Sequence, residues 1–351
     1  MKWIKIAAII LAVPVLLFAA FLAWATIGDY RPEEKTAPGV SGTGIDAGPD
    51  DSVFSIITWN IGYFGLGKEC DFFYDGGKMT RPAKTDYERY SASALNYLKD
   101  NKKTDFYFFQ EVDFDSKRSY SDDQLARLQA VFPGMESVSA INYKVAFVPV
   151  PLSHPLGKVN SGLVSFMKYR PVENTRYSFP TGYSWPVGLF QLDRCFLLSR
   201  IALPFGKELI LINTHNEAFD DGSQRTKQLA VLRELMLAEY GKGNYVVVGG
   251  DWNQNPVGYT IERFTNDDLR RRIEPAIEPD FLPAGWQWVF DPALPTNRDV
   301  IAPYEHGKTL TTIIDFFVVS PNVEVLEIKT DDLGFEWCDH QPVEMMFRLG
   351  L

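Results

Sequence analysis

Cysteine and histidine are both scarce in this sequence. Its 351 residues hold three cysteines, Cys70, Cys195 and Cys338, and four histidines. No CxxC pair occurs and no cysteine spacing matches a zinc site, which excludes a cysteine-built metal centre. Spacing alone leaves two thiol states open, one disulfide plus a free thiol or three unpaired thiols. Excess positive charge is lacking too, since 35 Lys and Arg against 45 Asp and Glu give a formal net charge of −10. Extended nucleic acid is normally gripped by a basic surface, because neutralising phosphates supplies most of the affinity. The acidic balance argues against a long polyanion as ligand unless a local basic patch or bound cations invert the field. No internal repeat and no low-complexity tract occurs. With 46 % hydrophobic and 23 % charged residues, the chain can bury a core and is not a disordered polymer.

What the N-terminus does have is a long apolar run. Lys2 and Lys5 precede an uncharged stretch from Ile6 to Ile27. As a helix rising 1.5 Å per residue it is roughly 30 Å long, the thickness of a bilayer core. Pro14 would kink such a helix without forbidding it. The lysines should stay on the cytoplasmic side, which places the rest of the chain outside. The rival reading is a cleaved signal peptide, because Ala23-Trp24-Ala25 has the small-x-small pattern of a cleavage site. Both readings export the domain. No cysteine follows the run, so a lipoprotein anchor is not indicated. We therefore expect an anchor or signal at residues 1–27, a flexible linker at 28–52 rich in Pro, Gly, Ser and Asp, and one catalytic domain at 53–351.

From Val53 onward short β-rich segments alternate with turn residues: VFSIITW, DFYFFQ, KVAFVPV, GLVSFMK, FLLSRIAL, ELILINT, YVVVGG, IDFFVVS and VEVLEI. Several are apolar nearly throughout, as in strands covered on both faces. The periodicity predicts helices over Asp86–Lys103, with Tyr87, Tyr90, Ala94 and Leu98 on one stripe, and over Ser223–Tyr240. Two helices interleaved among many strands suggest two sheets packed face to face with helices outside. Gly65–Thr85 and Asn255–Thr309 lack regular pattern and read as functional loops.

Six short polar segments end or begin these strands. They are Thr58-Trp59-Asn60, Phe108 to Glu111, Asn213 to Asn216, Gly249 to Pro256, the segment with Asp315, and Cys338 to Pro342 with Asp339-His340. A lone Asp or Asn after a strand is an ordinary turn former. Together, however, the segments collect carboxylates, amides and two of the four histidines. Hard cations such as Mg²⁺ prefer carboxylate and amide oxygens, and phosphoryl chemistry needs a metal plus a group that orients water.

The ordered set TWN…QE…THN…GDWN…ID…DH resembles the endonuclease/exonuclease/phosphatase superfamily. That group includes DNase I-like nucleases, abasic-site endonucleases, inositol-polyphosphate phosphatases and neutral sphingomyelinases. The resemblance spans nearly all of residues 53–348, and Ser161-Gly162 sits where the family carries its glycine-containing strand. It implies an α/β fold, a four-layer α/β/β/α sandwich, in a membrane-anchored member of bacterial type. It implies a Mg²⁺ (or Mn²⁺) site with Glu111 as principal ligand, helped by Asn60 and Asp339. Asp251 would orient or deprotonate water, and Asn253 would bind a phosphate oxygen. His340 would donate to the phosphoryl oxygens, with Asp339 alternatively fixing its tautomer. His215 would stabilise developing charge, and Asp315 would pair with His215 and raise its pKa. Arg118 and Asn216 are assigned to substrate.

Two departures stand out. Cys338 replaces a serine common before the final Asp-His, keeping a small polar side chain. Ile61-Gly62 follows Asn60 where abasic-site endonucleases carry a carboxylate, which counts against that branch. The expected ligand is a phosphate ester, whether nucleic acid, phospholipid or small molecule, and no protein partner is inferred. Lys78, Arg81, Lys84 and Arg118 favour a nuclease if they face phosphates; a solvated surface is their plain alternative. Aromatic residues Phe72, Phe73, Tyr74, Trp185 and Phe190, expected near the mouth of the site, favour a lipid phosphodiesterase; ordinary loop packing is theirs. A catalytically inactive phosphate-binding module would have lost at least one polar motif residue, and all are present.

Overall fold

A computed structural model describes residues 2–46, 53–101, 104–204, 206–218, 222–259 and 277–350. Alternation decides the architecture. In the strand Val53–Asn60, Phe54 and Ile56 point to one side, while Ile57 and Trp59 point to the other. Phe106 and Phe108 alternate with Tyr107 and Phe109 in the same way along Phe106–Asp113. Both faces are apolar, so both must be covered. The central core lies between two sheets, where Phe54, Ile56 and Phe108 meet Leu197, Leu211, Val247 and Phe317. Each such side chain contributes roughly 1.5–3 kcal/mol when fully buried.

Helices cover the outer faces. Lys84–Asn101 lays Tyr87, Ala94 and Leu98 on one sheet, joined by a third helix, Gln124–Val131, through Leu128. The short helix has Asp123 as its N-cap, its side chain accepting from Ala126 N at 3.0 Å. Ser223–Gly241 lays Leu229, Leu232 and Met236 on the other sheet. The result is the expected four-layer sandwich. Residues 102–103 of the first predicted helix lie outside the described residues.

One sheet runs Lys35–Thr36, Glu173–Ser178, Cys195–Ala202, Glu208–His215, Tyr245–Asp251, Asp315–Val319, Gln287–Val289. The other runs Val323–Thr330, Val343–Leu349, Val53–Asn60, Phe106–Asp113, Gly157–Met167, Glu136–Val148, Gly39–Gly42. The segment expected to be a free linker thus contributes two strands. Lys35–Thr36 pairs with Glu173–Ser178, and Gly39–Gly42 with Glu136–Val148. Sheet edges offer unpaired backbone groups to any extended segment, and local composition does not report such long-range pairing. Residues 47–52 of that segment lie outside the described residues, as do 260–276 of the second predicted loop. The three cysteines are buried and unpaired.

Register brings the polar strand ends together. Val53–Asn60 and Phe106–Asp113 are parallel, with Asn60 opposite Gln110. Glu208–His215 and Tyr245–Asp251 are parallel, with His215 opposite Asp251. Asp315–Val319 runs antiparallel and starts opposite Asp251. Val343 lies opposite Thr58, so Asp339 and His340 arrive at the same edge. Just beneath, Gln110 Nε2 donates to Asn213 Oδ1 (2.8 Å) and Thr58 Oγ1 (3.2 Å), tying one sheet to the other. Asn213 Nδ2 returns bonds to the Phe109 and Val164 carbonyls, each at 3.2 Å.

Candidate active site

A cleft of about 510 Å³ opens at this edge, lined by Glu111, His215, Asp251, Asn253, Asp339 and His340 among others. Glu111 stands at a bulge, where the pairing of Phe106–Asp113 with Gly157–Met167 slips between Phe109 and Val112. Its backbone is left-handed, with φ of +56°. Such strain in a residue with a Cβ persists where surrounding structure over-determines it, and it clusters at functional sites. The bulge turns the Glu111 carboxylate out of the sheet.

Asn60 connects the acidic groups. Its Nδ2 donates to Asp251 Oδ2 at 2.9 Å and lies 3.3 Å from Glu111 Oε1, while its Oδ1 accepts from Gly62 N at 3.0 Å. Gly62 has φ of +49°, and a Cβ there would sit 2.7 Å from Asp339 Oδ1. Only glycine lets the Asp339 carboxylate approach. The Cys338 thiol donates to Asn60 O at 3.2 Å and receives the His340 N–H at 3.4 Å, so it braces this corner. Trp59 Nε1 donates to the His340 carbonyl at 3.1 Å and fixes the same loop from below.

His340 sits among carboxylates. Its Nδ1 lies 2.8 Å from Asp315 Oδ2, its Nε2 3.9 Å from Asp251 Oδ2 and 4.0 Å from Asp339 Oδ2. Burial opposes its charge, but Asp315, Asp339 and Asp251 outweigh it and hold the imidazole well above its usual pKa. Burial, and then the charge of Asp315, push the Asp251 carboxyl up. Asn253 N donates to Asp251 Oδ1 at 2.9 Å, and Asn253 Nδ2 to the Asn216 carbonyl at 2.9 Å.

Four expectations need correction. Asp315 pairs with His340, not with His215, because the antiparallel start of its strand lies against the His340 loop. His215 is buried, its Nε2 3.5 Å from Asp251 Oδ2 and its Nδ1 without a hydrogen-bond partner among the described residues. Burial first, then the positive charges of Arg194, His340 and Arg118, push its pKa well below the ordinary value; the ring is neutral rather than cationic. Arg118 does not face the cleft. It is buried, bonded to both oxygens of Asp113 (2.9 and 3.1 Å), and stacked 3.8 Å over the Tyr63 ring. Only its edge approaches Glu111, at 3.8 Å. Asn216 is also turned inward, its Oδ1 taking the Thr214 hydroxyl at 2.6 Å.

Other cleft groups had no signal in the sequence. The Asn297 side-chain amide lies 3.0 Å from His340 Nε2. Arg194, at the start of Cys195–Ala202, is buried and lines the cleft. It makes a 3.9 Å ion pair with Glu217, and its Nε and Nη1 lack hydrogen-bond partners among the described residues. Phe72 and Tyr74 line the mouth, whereas Trp185 lines a neighbouring groove. Phe190 packs with Phe73 and Tyr74 against Tyr143 and Val148. Arg298 donates to the carbonyls of Leu66, Gly67 and Cys70, so the loop after Gly65 is pinned at its base.

Two groupings meet at the cleft, with Asp315 set behind its wall. The reactive atoms of Asp251, Asp315 and His340 lie within 4.8 Å of one another. Because Asp315 is already bonded to His340 Nδ1, this trio reads as a carboxylate–imidazole pair facing a second carboxylate. Glu111 and Asp339 form the other grouping, hard oxygen donors whose cationic neighbours are Arg118, 3.8 Å from Glu111, His340, 4.0 Å from Asp339, and the more distant charge of Arg298 acting on Asp339. That donor chemistry fits a divalent cation.

Comparisons with solved structures agree with this fold. Structures sharing the fold include an endonuclease/exonuclease/phosphatase from Beutenbergia cavernae, at 17 % identity and a TM-score of 0.57, covering 85 % of this chain and 72 % of that one. D. rerio TDP2 complexed with single-strand DNA product matches at 17 % identity and a TM-score of 0.52, covering 85 % and 100 %. ANGEL2, a 2',3'-cyclic phosphatase, matches at 14 % identity and 0.52, covering 90 % and 99 %. No curated protein sequence matches the chain. A family sequence profile matches residues 57–334. By that match the chain belongs to the endonuclease/exonuclease/phosphatase family of hydrolytic phosphoesterases, which generally use a divalent metal.

Proposed function

We propose that this protein hydrolyses a phosphodiester or phosphomonoester by water attack, with Mg²⁺ or Mn²⁺ as cofactor, and that its N-terminal helix anchors it with the catalytic domain extracytoplasmic. The meeting of Glu111, Asp251, Asp339 and His340 in one cleft carries the reading. Glu111 and Asp339, with Asn60 beside them, would hold the cation, which when bound neutralises phosphate charge before attack. Asp251, its affinity for a proton raised, takes the proton from water. His340, kept protonated by Asp315, donates to a phosphoryl oxygen. Neutral His215 contributes a hydrogen bond rather than a charge. The Asn253 amide keeps a second hydrogen for a phosphate oxygen. For the anchor, the support is a single helix, Lys2–Ile27, long and apolar enough to cross a bilayer, with lysines at its start.

The full chain in detergent should hydrolyse bis-p-nitrophenyl phosphate with Mg²⁺ or Mn²⁺. EDTA should abolish the rate and added Mg²⁺ restore it; an EDTA-resistant rate would reject cation dependence. Arg194 supplies a further test. A buried guanidinium with unmade bonds is suited to a phosphate oxygen. A charge-assisted hydrogen bond contributes about 1.5–3 kcal/mol, so Arg194→Ala should lower kcat/KM by roughly 10- to 100-fold, mostly through KM. An unaltered KM would assign Arg194 to the scaffold.

A further inference from the structure

Two surface loops are free of charge. No Asp, Glu, Lys or Arg lies between Lys144 and Lys158, nor between Arg176 and Asp193. Both loops belong to the catalytic edge of the sandwich. Glu136–Val148 runs in the same sense as Phe106–Asp113, so it ends at that edge; Cys195–Ala202 opposes Glu208–His215, so it starts there. The two loops expose apolar side chains that soluble surfaces rarely gather: Leu152 is 87 % exposed, Trp185 62 %, Val187 50 % and Val150 41 %.

The end of the N-terminal helix docks on these same loops. The Phe21 ring stacks on Phe190 (centroids 5.8 Å apart, planes 6° apart) and meets Phe147 edge-on at 6.3 Å. Trp185 Nε1 donates to Thr26 Oγ1 at 3.1 Å. Before Phe21 the described side chains of the helix, residues 3–6 and 9–20, are exposed. From Trp3 to Ala20 it measures about 27 Å, nearly a bilayer core. Charge resumes only past Thr26, with Asp29 paired to Arg31 at 2.6 Å. If the helix spans a bilayer, the layer around Phe21 to Thr26 is the lipid–water boundary, where indole rings such as Trp24 and Trp185 concentrate.

We infer that the loops 145–157 and 177–192 form a second membrane contact, resting on the lipid surface around the helix exit and holding the catalytic edge against the bilayer. This inference rests on the helix being a membrane anchor. The occupant is lipid rather than protein because the exposed apolar side chains surround an exposed apolar helix, with no charged residue in either loop to set a partner's register. The catalytic domain is then held by two attachments at one edge, and it cannot swing freely on its anchor.

Nitroxide labels on the full chain in phosphatidylcholine–phosphatidylglycerol vesicles test this, since the native cysteines are buried. Single labels go at Leu152→Cys, at Leu11→Cys in mid-helix, and at Lys207→Cys on the opposite edge of the sandwich. Collisions with oxygen, which partitions into lipid, are compared with those of a water-soluble nickel chelate. The expected result is an oxygen-favoured ratio at Leu11 and Leu152 and a nickel-favoured ratio at Lys207. A label at Leu152 as open to nickel as that at Lys207, with Leu11 in lipid, overturns the second contact and leaves the anchor intact. A nickel-accessible label at Leu11 overturns the anchor and the inference with it.

Discussion

Replacing His340 with alanine should cost at least ~100-fold in kcat on bis-p-nitrophenyl phosphate at saturating Mg²⁺, the usual scale of lost proton-transfer help. Asp251→Asn should lose a comparable factor, because an amide cannot accept the proton from water. Wild-type-like turnover in either variant would reject the assigned roles. Asp315 does not line the cleft and acts through the His340 ring, so Asp315→Asn is informative in a different way. Asp315 helps hold the imidazole pKa above its ordinary value, after burial has pulled the other way. Without that carboxylate the proton leaves at lower pH. Activity that needs the protonated ring should therefore fail earlier on the alkaline side, and the acid limb should also move to lower pH, because the same charge helps hold the Asp251 carboxyl up. A pH profile with an unmoved alkaline limb would show that Asp315 only packs.

Arg118→Met should destabilise the fold by about 3–5 kcal/mol, the cost of leaving one charge of a buried pair behind. Asp113 and Arg118 are both buried, Ser161 Oγ lies 3.3 Å from the guanidinium, and Tyr63 is stacked beneath. Thermal or urea unfolding of the full chain in detergent reads the effect. The double variant Arg118→Met/Asp113→Leu should recover much of the loss, since removing both charges removes the orphan. If Arg118 served mainly to bind substrate, the single variant would unfold normally and raise KM instead.

The sequence and the structure agree where chemistry depends on strand ends. Glu111, His215, Asp251, Asp315 and His340 each follow or precede an apolar run, and a polar side chain there is held rigidly at a sheet edge. The helix stripe Tyr87, Tyr90, Ala94, Leu98 is buried as the periodicity predicts. Pairing across the fold is another matter. Which histidine takes Asp315 depends on which loop crosses that edge, and no local pattern encodes it. Arg118 reads as a surface charge because nothing in its vicinity announces that Asp113 will turn inward to meet it. Arg194 and Asn297 gain their place only when distant strands close around the cleft. Lys35–Thr36 and Gly39–Gly42 are too short and too polar to look like strands until an edge is there to receive them.

The hydrogen bonds among Thr58, Gln110 and Asn213 have a consequence for how the reactive groups keep time with one another. Asn60, Glu111 and the His340 loop ride on one sheet, while His215, Asp251 and Asp315 ride on the other. The cleft is a seam rather than a feature of either layer, and its working distances are set by how the two plates are riveted. A polar rivet directly under the seam resists sliding better than oily contact alone, because its bonds have direction and cannot be remade one residue along.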